Sequence, residues 1–585
     1  MTLTQQLLTL ENADLIRLAA AQPELAYLFR HALVHDAAYA SLVRADRQRL
    51  HAMVGECLER IAGGTGARPE AAAALAQHFD QAGDKRALKY ALAAAEAAAG
   101  RYANTEAVAH YDTVLRWAQQ EADTTGAQLA VWHTARGRAL ELSGQFEAAL
   151  ENYRAMGSEG QGRRDEGLSL QALVLEGTLR STVNPLFDIA EGNRIADEGL
   201  ARAQAQGDKR SQARLHWNRL NLRRFSGDPA GARESGELGL AMARESGDAE
   251  ITALTLNDLA HVYGMVGAID QHRGAVREAA ERWRALGNLP MLADCLATAA
   301  LYASVRGDFA SARQASSEAL EIARRIGNVW GQAYSQSGIG YVLWLRGAYA
   351  EGIQANRECL RLAEEAGYGA AQTLNRSLQA EMLIDLGQVE EAGKEAHRAL
   401  EWAEGHLPAL RGVARGSLAT YYAARGDWEE AAATVDSSKI SLTPRIFWVV
   451  EPILRARAEA AIGLQMPRAA AIAEERVGAA RQFGALPFVA AALETLARAQ
   501  RLAGQRDAAV ASLAEARELG EQLGTRRTLW RVYHGLAINS ETSDEGAAWA
   551  AKSGSVVEAI AGELPEPRWR EGFLKRVEAW KLGAT

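Results

Sequence analysis

The sequence predicts an all-α solenoid, a superhelix of about eleven helical hairpins stacked in chain order. Three observations carry that expectation. Alanine and leucine dominate, β-branched residues are sparse and only 12 of 585 residues are proline, which favours helix throughout. Glycines recur at nearly constant steps. Small side chains then recur at fixed distances after those glycines.

The first glycine series is Gly144, Gly227, Gly267, Gly307, Gly347, Gly387, Gly426, Gly463 and Gly504, with steps from Gly227 onward of 40, 40, 40, 40, 39, 37 and 41. The interval from Gly144 to Gly227 spans two units, and the intermediate turn falls at VNPLFD, where Pro185 breaks a helix in place of glycine. A second series, half a period away, is Gly207, Gly247, Gly287, Gly327, Gly367, Gly405, Gly484 and Gly524, with SLTPR at 441–445 filling its gap. Glycine just past a helix takes the left-handed conformation at low cost, so the two series divide the chain into helices of roughly 15 to 17 residues. Each unit is therefore a hairpin. The octet ARGDWEEA at 424–431 holds Arg425-Gly426-Asp427, which in an extracellular protein marks an adhesion loop. Its altered copies VRGDFASA at 305–312 and LSGQFEAA at 142–149 make it an interhelical turn, with Asp427 placed as an N-cap.

Five residues after the first-series glycine stand Ala149, Ala232, Ala312, Gly352, Ala392, Ala431 and Ala509, with His272 the exception. Twelve after it come Gly239, Ala279, Ala319, Cys359, Ala399, Ser438 and Ala516, with Met156 the exception. Small residues at those points let neighbouring helices approach, and the aromatics Phe146, Phe309, Tyr349 and Trp428 fill the space under the turn. This pattern resembles the tetratricopeptide repeat in a long version, over roughly residues 70 to 540. The resemblance implies that the first helix of each hairpin lines a concave inner face.

The N-terminus departs from the period. YLFRHALVHDAAYASLVRADRQRLHAMVGECLER, from Tyr27 to Arg60, resembles the junction between a winged helix and a tetratricopeptide array in multidomain bacterial signalling ATPases, through Phe29, His31, Leu33, Ala38, Tyr39, Leu42, Arg49, Leu50 and His51. IAGELPEPRWREGFLKRVEAW resembles the terminal helices of the same arrays, those attached to adenylate or guanylate cyclases and to LuxR-type activators. The expected organisation is a junction remnant at 1–62, the array at 63–540 and capping helices at 541–585. What the family carries upstream, an ATPase and sometimes a cyclase, is implied only for a longer relative. No GxxxxGK[ST] phosphate loop occurs, since the single Gly393-Lys394 pair is followed by Glu395, and GYGAAQ and GIGYVL lack the third glycine of a dinucleotide fingerprint. No cofactor and no enzymatic activity are expected.

Composition narrows the partners. A net charge of -8 with acids and bases interspersed offers no basic stripe for nucleic acid. No apolar run is long enough to span a bilayer, the first residues lack a signal-peptide pattern, and Cys57, Cys295 and Cys359 stand far apart, so the expected compartment is the cytoplasm. His31 and His35 stand four apart beside Asp36, but Ala32 occupies the place where the hydrolytic zinc motif needs Glu, so packing rather than metal is expected. The adjacent pairs Glu364-Glu365, Glu390-Glu391 and Glu429-Glu430 point about 100° apart on a helix and read as solvated surface. Asn375-Arg376-Ser377 is expected to be a chance triplet, and SLTPR, with no helix-turn-helix after it, not the start of a DNA-binding domain.

What remains is polarity on the expected inner face: Asn218, Asn221, Asn257, His261, Tyr341 and Arg415, hydrogen-bonding and aromatic groups suited to a peptide or small effector. The competing reading places Asn218 and Asp258 at the hairpin's variable small position, where they only satisfy neighbouring backbone. The expected function is a non-enzymatic scaffold that binds a protein segment or effector in a bacterial signalling or transcription-regulatory system, as a monomer or weak homodimer. The alternative is the regulatory part of a cyclase or ATPase switch whose catalytic domains this chain lacks.

Overall fold

The computed structural model describes residues 2–20, 26–61, 69–121, 123–182, 184–406, 410–436 and 447–582. Within them lie 29 helices and a single two-stranded sheet. SLTPR and Ser438 fall outside the described residues. The chain divides into two compact units, Met1–Leu179 with Val183–Leu186, and Arg180–Thr182 with Phe187–Thr585.

The first unit opens with helix Leu3–Asn12 and antiparallel strands Ile16–Ala20 and Ala26–Phe29, which pair Ile16 with Phe29 and Leu18 with Tyr27. Helices Ala32–Ser41 and Arg44–Ile61 follow. His31 caps the first of these in an extended conformation, while His35 Nδ1 lies 2.9 Å from the exposed Asp36 carboxylate. Among described residues 2–61 only Ile16 and Gly55 are buried, whereas Leu33 is 82% exposed. From Pro69 the chain becomes regular hairpins around Leu75, Phe79, Tyr90, Trp117 and Trp132.

In the second unit the repeat is nearly crystalline in its regularity. From Lys209 to Asp385 every helix has 17 or 18 residues. Of the two glycine series only Gly405 and Gly463 lack positive φ. The residue after the glycine often completes the joint: Asp208, Asp228, Asp248, Asn288, Asp308 and Asn328 each accept from a backbone N–H three residues on, at 2.9–3.3 Å. Two expectations need correction. Helix Phe447–Gly463 continues through Gly463, and the left-handed residue is Gln465; Asp427 stands at the N-cap but pairs with Arg425 at 3.0 Å instead of capping. Ala232, Ala312, Ala392, Ala431 and Ala509, and at the second position Ala279, Ala319, Cys359, Ala399 and Ala516, are buried as the spacing predicts. Asn375 is also buried inside a helix, donating to the Ala371 carbonyl at 2.8 Å.

The second unit also coils onto itself. Arg526 Nε donates to the Arg346 carbonyl at 2.9 Å and Gln388 Nε2 to the Arg568 carbonyl at 3.2 Å, both across 180 residues. Arg568 also pairs with Glu391 at 2.9 Å, and Arg576 donates to the Ala424 carbonyl at 3.0 Å. After four to five hairpins the later inner helices thus return to the ends of the earlier ones. One apolar core accordingly runs from Val305 to Val577.

Candidate functional site

The inner face of the second unit is formed by helices Lys209–Ser226, Ala249–Met265, Leu289–Arg306, Val329–Leu345 and Gly369–Asp385. Their side chains bond diagonally from one helix to the next. Asn221 to Asp258, Asn257 to Asp294 and Thr298 to His261 are each 37 apart in sequence, about one helical turn short of the repeat. The diagonal carries a polar ladder from the C-terminal end of the first inner helix to the N-terminal ends of the last two.

The ladder begins at Asp258, which accepts from Trp217 Nε1 at 2.7 Å, Asn221 Nδ2 at 3.2 Å and Arg224 at 3.3 Å. Next, Asn257 Nδ2 donates to Asp294 Oδ2 at 2.8 Å. The Thr298 hydroxyl then bridges His261 Nε2 at 3.1 Å and the Tyr334 hydroxyl at 3.0 Å, and the Tyr302 hydroxyl donates to the His261 carbonyl at 3.2 Å. At the open end the Trp330 and Tyr368 rings lie 4.8 Å apart and the Trp330 and Tyr334 rings 5.3 Å apart, with Trp330 itself 37% exposed.

Electrostatics sets these groups in definite states. Burial, reinforced by the Asp258 charge and opposed by the Asn257 hydrogen bond and Arg224, pushes the Asp294 carboxyl up to about 6. Burial, with Arg224 adding to it, holds His261 far below its usual range, so it is a neutral imidazole at pH 7. Burial and the Asp294 charge raise the Tyr334 and Tyr368 hydroxyls, which stay protonated.

Further along, the inner face is closed by the coil's return. Asp385 accepts from Trp344 Nε1 at 3.0 Å, Arg527 Nε at 2.6 Å and Arg531 at 3.2 Å. Glu381 pairs with Arg455, Glu451 with Arg476 at 2.8 Å, and Glu459 with Arg498. Burial disfavours the ionised form of each carboxylate, but Arg527 and Arg531 hold Asp385 below its ordinary value, and Arg498 brings Glu459 down to about 2. Glu381 is pushed up by burial despite Arg455.

Three of the expected residues, Asn221, Asn257 and His261, come together on the ladder, and Asn218 lies on the same first helix. The three asparagines are nevertheless buried in the wall, and Asn221 and Asn257 orient the aspartates rather than face the groove. Asp258 bonds side chains and not neighbouring backbone. Tyr341 is elsewhere, in a pocket of about 30 Å³ walled by Glu381, Glu451 and Arg455 within the closed part. Arg415 sits apart on helix Arg411–Arg425, paired with Glu404 at 3.0 Å. The groups left partly exposed, Asp294, Tyr334, Tyr368 and Trp330, were not among those expected, nor was Thr298, which is buried behind them. A 37-residue spacing of polar side chains, not the 40-residue repeat, leads from Asn257 to Asp294 and from His261 to Thr298, whereas nothing in that spacing marks Trp330 or Tyr368.

No family model matches the chain, and no curated protein matches it. Among solved structures it is similar to the crystal structure of the APC/C hetero-tetramer Cut9–Hcn1, at 15% identity over 93% of this chain and 95% of that one, with a TM-score of 0.45. It is also similar to a Rap protein complexed with competence and sporulation factor (13% identity, 75% and 99% of the chains, TM-score 0.35) and to yeast Tom70 (13%, 79% and 97%, TM-score 0.30). These likenesses are distant and decide nothing about a ligand. The consecutive hairpins themselves define a tetratricopeptide-like helical-repeat scaffold. Among the described residues no helix is long and apolar enough to cross a membrane.

Proposed function

We propose that the chain is a non-enzymatic interaction scaffold whose inner face, along helices Leu289–Arg306 and Val329–Leu345, takes an extended protein segment. One observation carries this reading. The inner face is sealed by arginine–carboxylate pairs from Glu381 onward, whereas around Asp294 it presents a half-buried carboxylate that makes no ion pair with a described residue, beside an aromatic cluster whose Trp330 is 37% exposed. Polar groups at fixed intervals flanked by aromatic faces suit main-chain and side-chain capture of an extended chain. Occupancy of such a groove is relayed by a change in coil curvature, because each hairpin interface holds only a share of the stability. The system it serves is read as bacterial signalling or transcription control in the cytoplasm, in keeping with Cys57, Cys295 and Cys359 as free thiols.

The test is to pan a random-peptide display library on the full chain and map the enriched binders by hydrogen–deuterium exchange. Protection is expected in Leu289–Arg306 and Val329–Leu345; protection confined to other helices, or no enrichment, rejects the groove.

A second reading, a regulatory part working with a separate ATPase or cyclase partner, is favoured by the N-terminal segment. Leu3, Leu28, Phe29, Leu33, Val43 and Met53 are exposed there together, more apolar surface than a short segment ordinarily leaves in water. Co-purification of an ATPase or cyclase subunit that Phe29→Glu and Leu33→Glu abolish supports it; unchanged recovery rejects it.

A further inference from the structure

We propose that the groove selects a basic residue: a lysine or arginine side chain of the bound segment sets its cation against the Asp294 carboxylate and over the outer face of the Trp330–Tyr334–Tyr368 ring cluster. This rests on the reading of the inner face as a segment-binding groove and adds the chemistry of its occupant.

The strongest observation is a comparison among inner-face carboxylates. Asp258, Glu381, Asp385, Glu451 and Glu459 each make an ion pair with an arginine of this chain. Asp294 makes none with a described residue; its one side-chain partner is the Asn257 amide at 2.8 Å. Arg224 pairs with Asp258 at 3.3 Å and acts on Asp294 only from a distance, and His261 is neutral, so no described residue of the ladder pairs its charge with Asp294. Burial, with the Asp258 charge adding to it, raises the affinity of Asp294 for a proton, and the Asn257 amide and Arg224 offset it only in part.

A second observation lies beside it. Asn257 is 3% exposed, and its Oδ1 is a buried acceptor without a hydrogen-bond partner among the described residues. A buried amide oxygen left in that state is unfavourable, and the amide nitrogen is committed to Asp294, so Asn257 fixes the carboxylate in place without supplying a counter-charge. The aromatic cluster supplies the third element. Its rings pack on one another at 4.8–6.3 Å, so nothing fits between them, and a cation lies over the exposed face of Trp330. Indole is the best of the aromatic side chains for that contact, and the Asp294 carboxylate, near enough for its charge to act on the Tyr334 and Tyr368 hydroxyls of the same cluster, adds a charge-assisted hydrogen bond.

The test uses the full chain and the peptides enriched by display, synthesised with a fluorophore and read by fluorescence anisotropy. Each basic residue is replaced by its neutral isostere, citrulline for arginine and acetyl-lysine for lysine. Neutralising one position is expected to raise Kd by about tenfold to a hundredfold, the size of a hydrogen bond to a charged group. Asp294→Asn, isosteric and neutral, is expected to raise it by a similar factor and to erase the difference between the charged and neutral peptides. Trp330→Leu, at an exposed position where folding is not at stake, is expected to weaken the charged peptide by several-fold more than the neutral one. Enriched peptides whose affinity is indifferent to these changes overturn the cation site while leaving the groove standing. No enriched peptide at all overturns both. If Asp294→Asn fails to fold, as judged by circular dichroism, the peptide isosteres and Trp330→Leu decide the matter alone.

Discussion

Asp308 and Asp427 follow a turn glycine in the same way, yet only one caps a helix. Asp308 accepts from the Ser311 amide at 3.2 Å, while Asp427 turns to Arg425 and heads a helix of only seven residues. Asp308→Ala is therefore expected to cost about 1 kcal/mol in urea unfolding. Asp427→Ala, which loses only an exposed ion pair, is expected to cost no more than about 0.5 kcal/mol. Asp294 behaves in the opposite direction. Its folded pKa of about 6 lies above the ordinary 3.8, so its contribution to stability is complete below about pH 4 and is lost as pH rises through 6. Asp294→Asn should raise the melting temperature at pH 7 and have little effect at pH 4; a fall at pH 7 refutes the assignment. A residue that costs stability where it stands, yet is held in place by Asn257, fits a binding role. At this scale the sequence was only partly legible. Asn218, Asn221 and Asn257 advertised polarity, but whether a side chain faces the groove or braces its wall depends on rotation within the stack.

Turn glycines are the part of the elements that the sequence displayed openly, because a left-handed joint leaves few alternatives to glycine. Gly463 shows where that inference ends. A Cβ there meets the Trp428 ring at 2.2 Å, so glycine serves close packing, and the turn passes to Gln465. Two other turn glycines separate local conformation from long-range contact. Gly367, at φ 62°, has open space around a would-be Cβ, whereas at Gly387, φ 69°, a Cβ lies 2.5 Å from the Gly572 carbonyl. Gly367→Ala is expected to cost about 1–2 kcal/mol, the left-handed penalty alone. Gly387→Ala is expected to cost more and to increase exchange of amides in helix Pro567–Lys581, since it pushes the returning coil away. Equal costs for the two variants would show that the contact is dispensable.

For the whole second unit, closure depends on buried ions. Asp385 joins helix Gly369–Asp385 to Arg527 across 142 residues, and Glu381 reaches Arg455 across 74. Replacing Asp385 with Asn leaves Arg527 and Arg531 facing a neutral group in a buried place, a loss of about 3–5 kcal/mol. Asp385 and Glu459 have depressed pKa values, so their contribution is present above about pH 5 and is lost as pH falls toward 2. Wild-type stability is expected to decline over that acid range, and Asp385→Asn, lacking one of these groups, to decline less steeply; parallel pH profiles count against the closure role.

The sequence by itself determined that this protein is a train of helical hairpins, with their period, joints and small-residue contacts, because those features are local and repeat every 40 residues. Tertiary structure alone decided which inner faces are covered. The return of the coil is the sum of small rotations between successive hairpins, and no single repeat encodes that sum. Thus Tyr341 ends in a walled pocket among arginine–carboxylate pairs, while Asp294, on the same inner face and one hairpin earlier, makes no ion pair with a described residue.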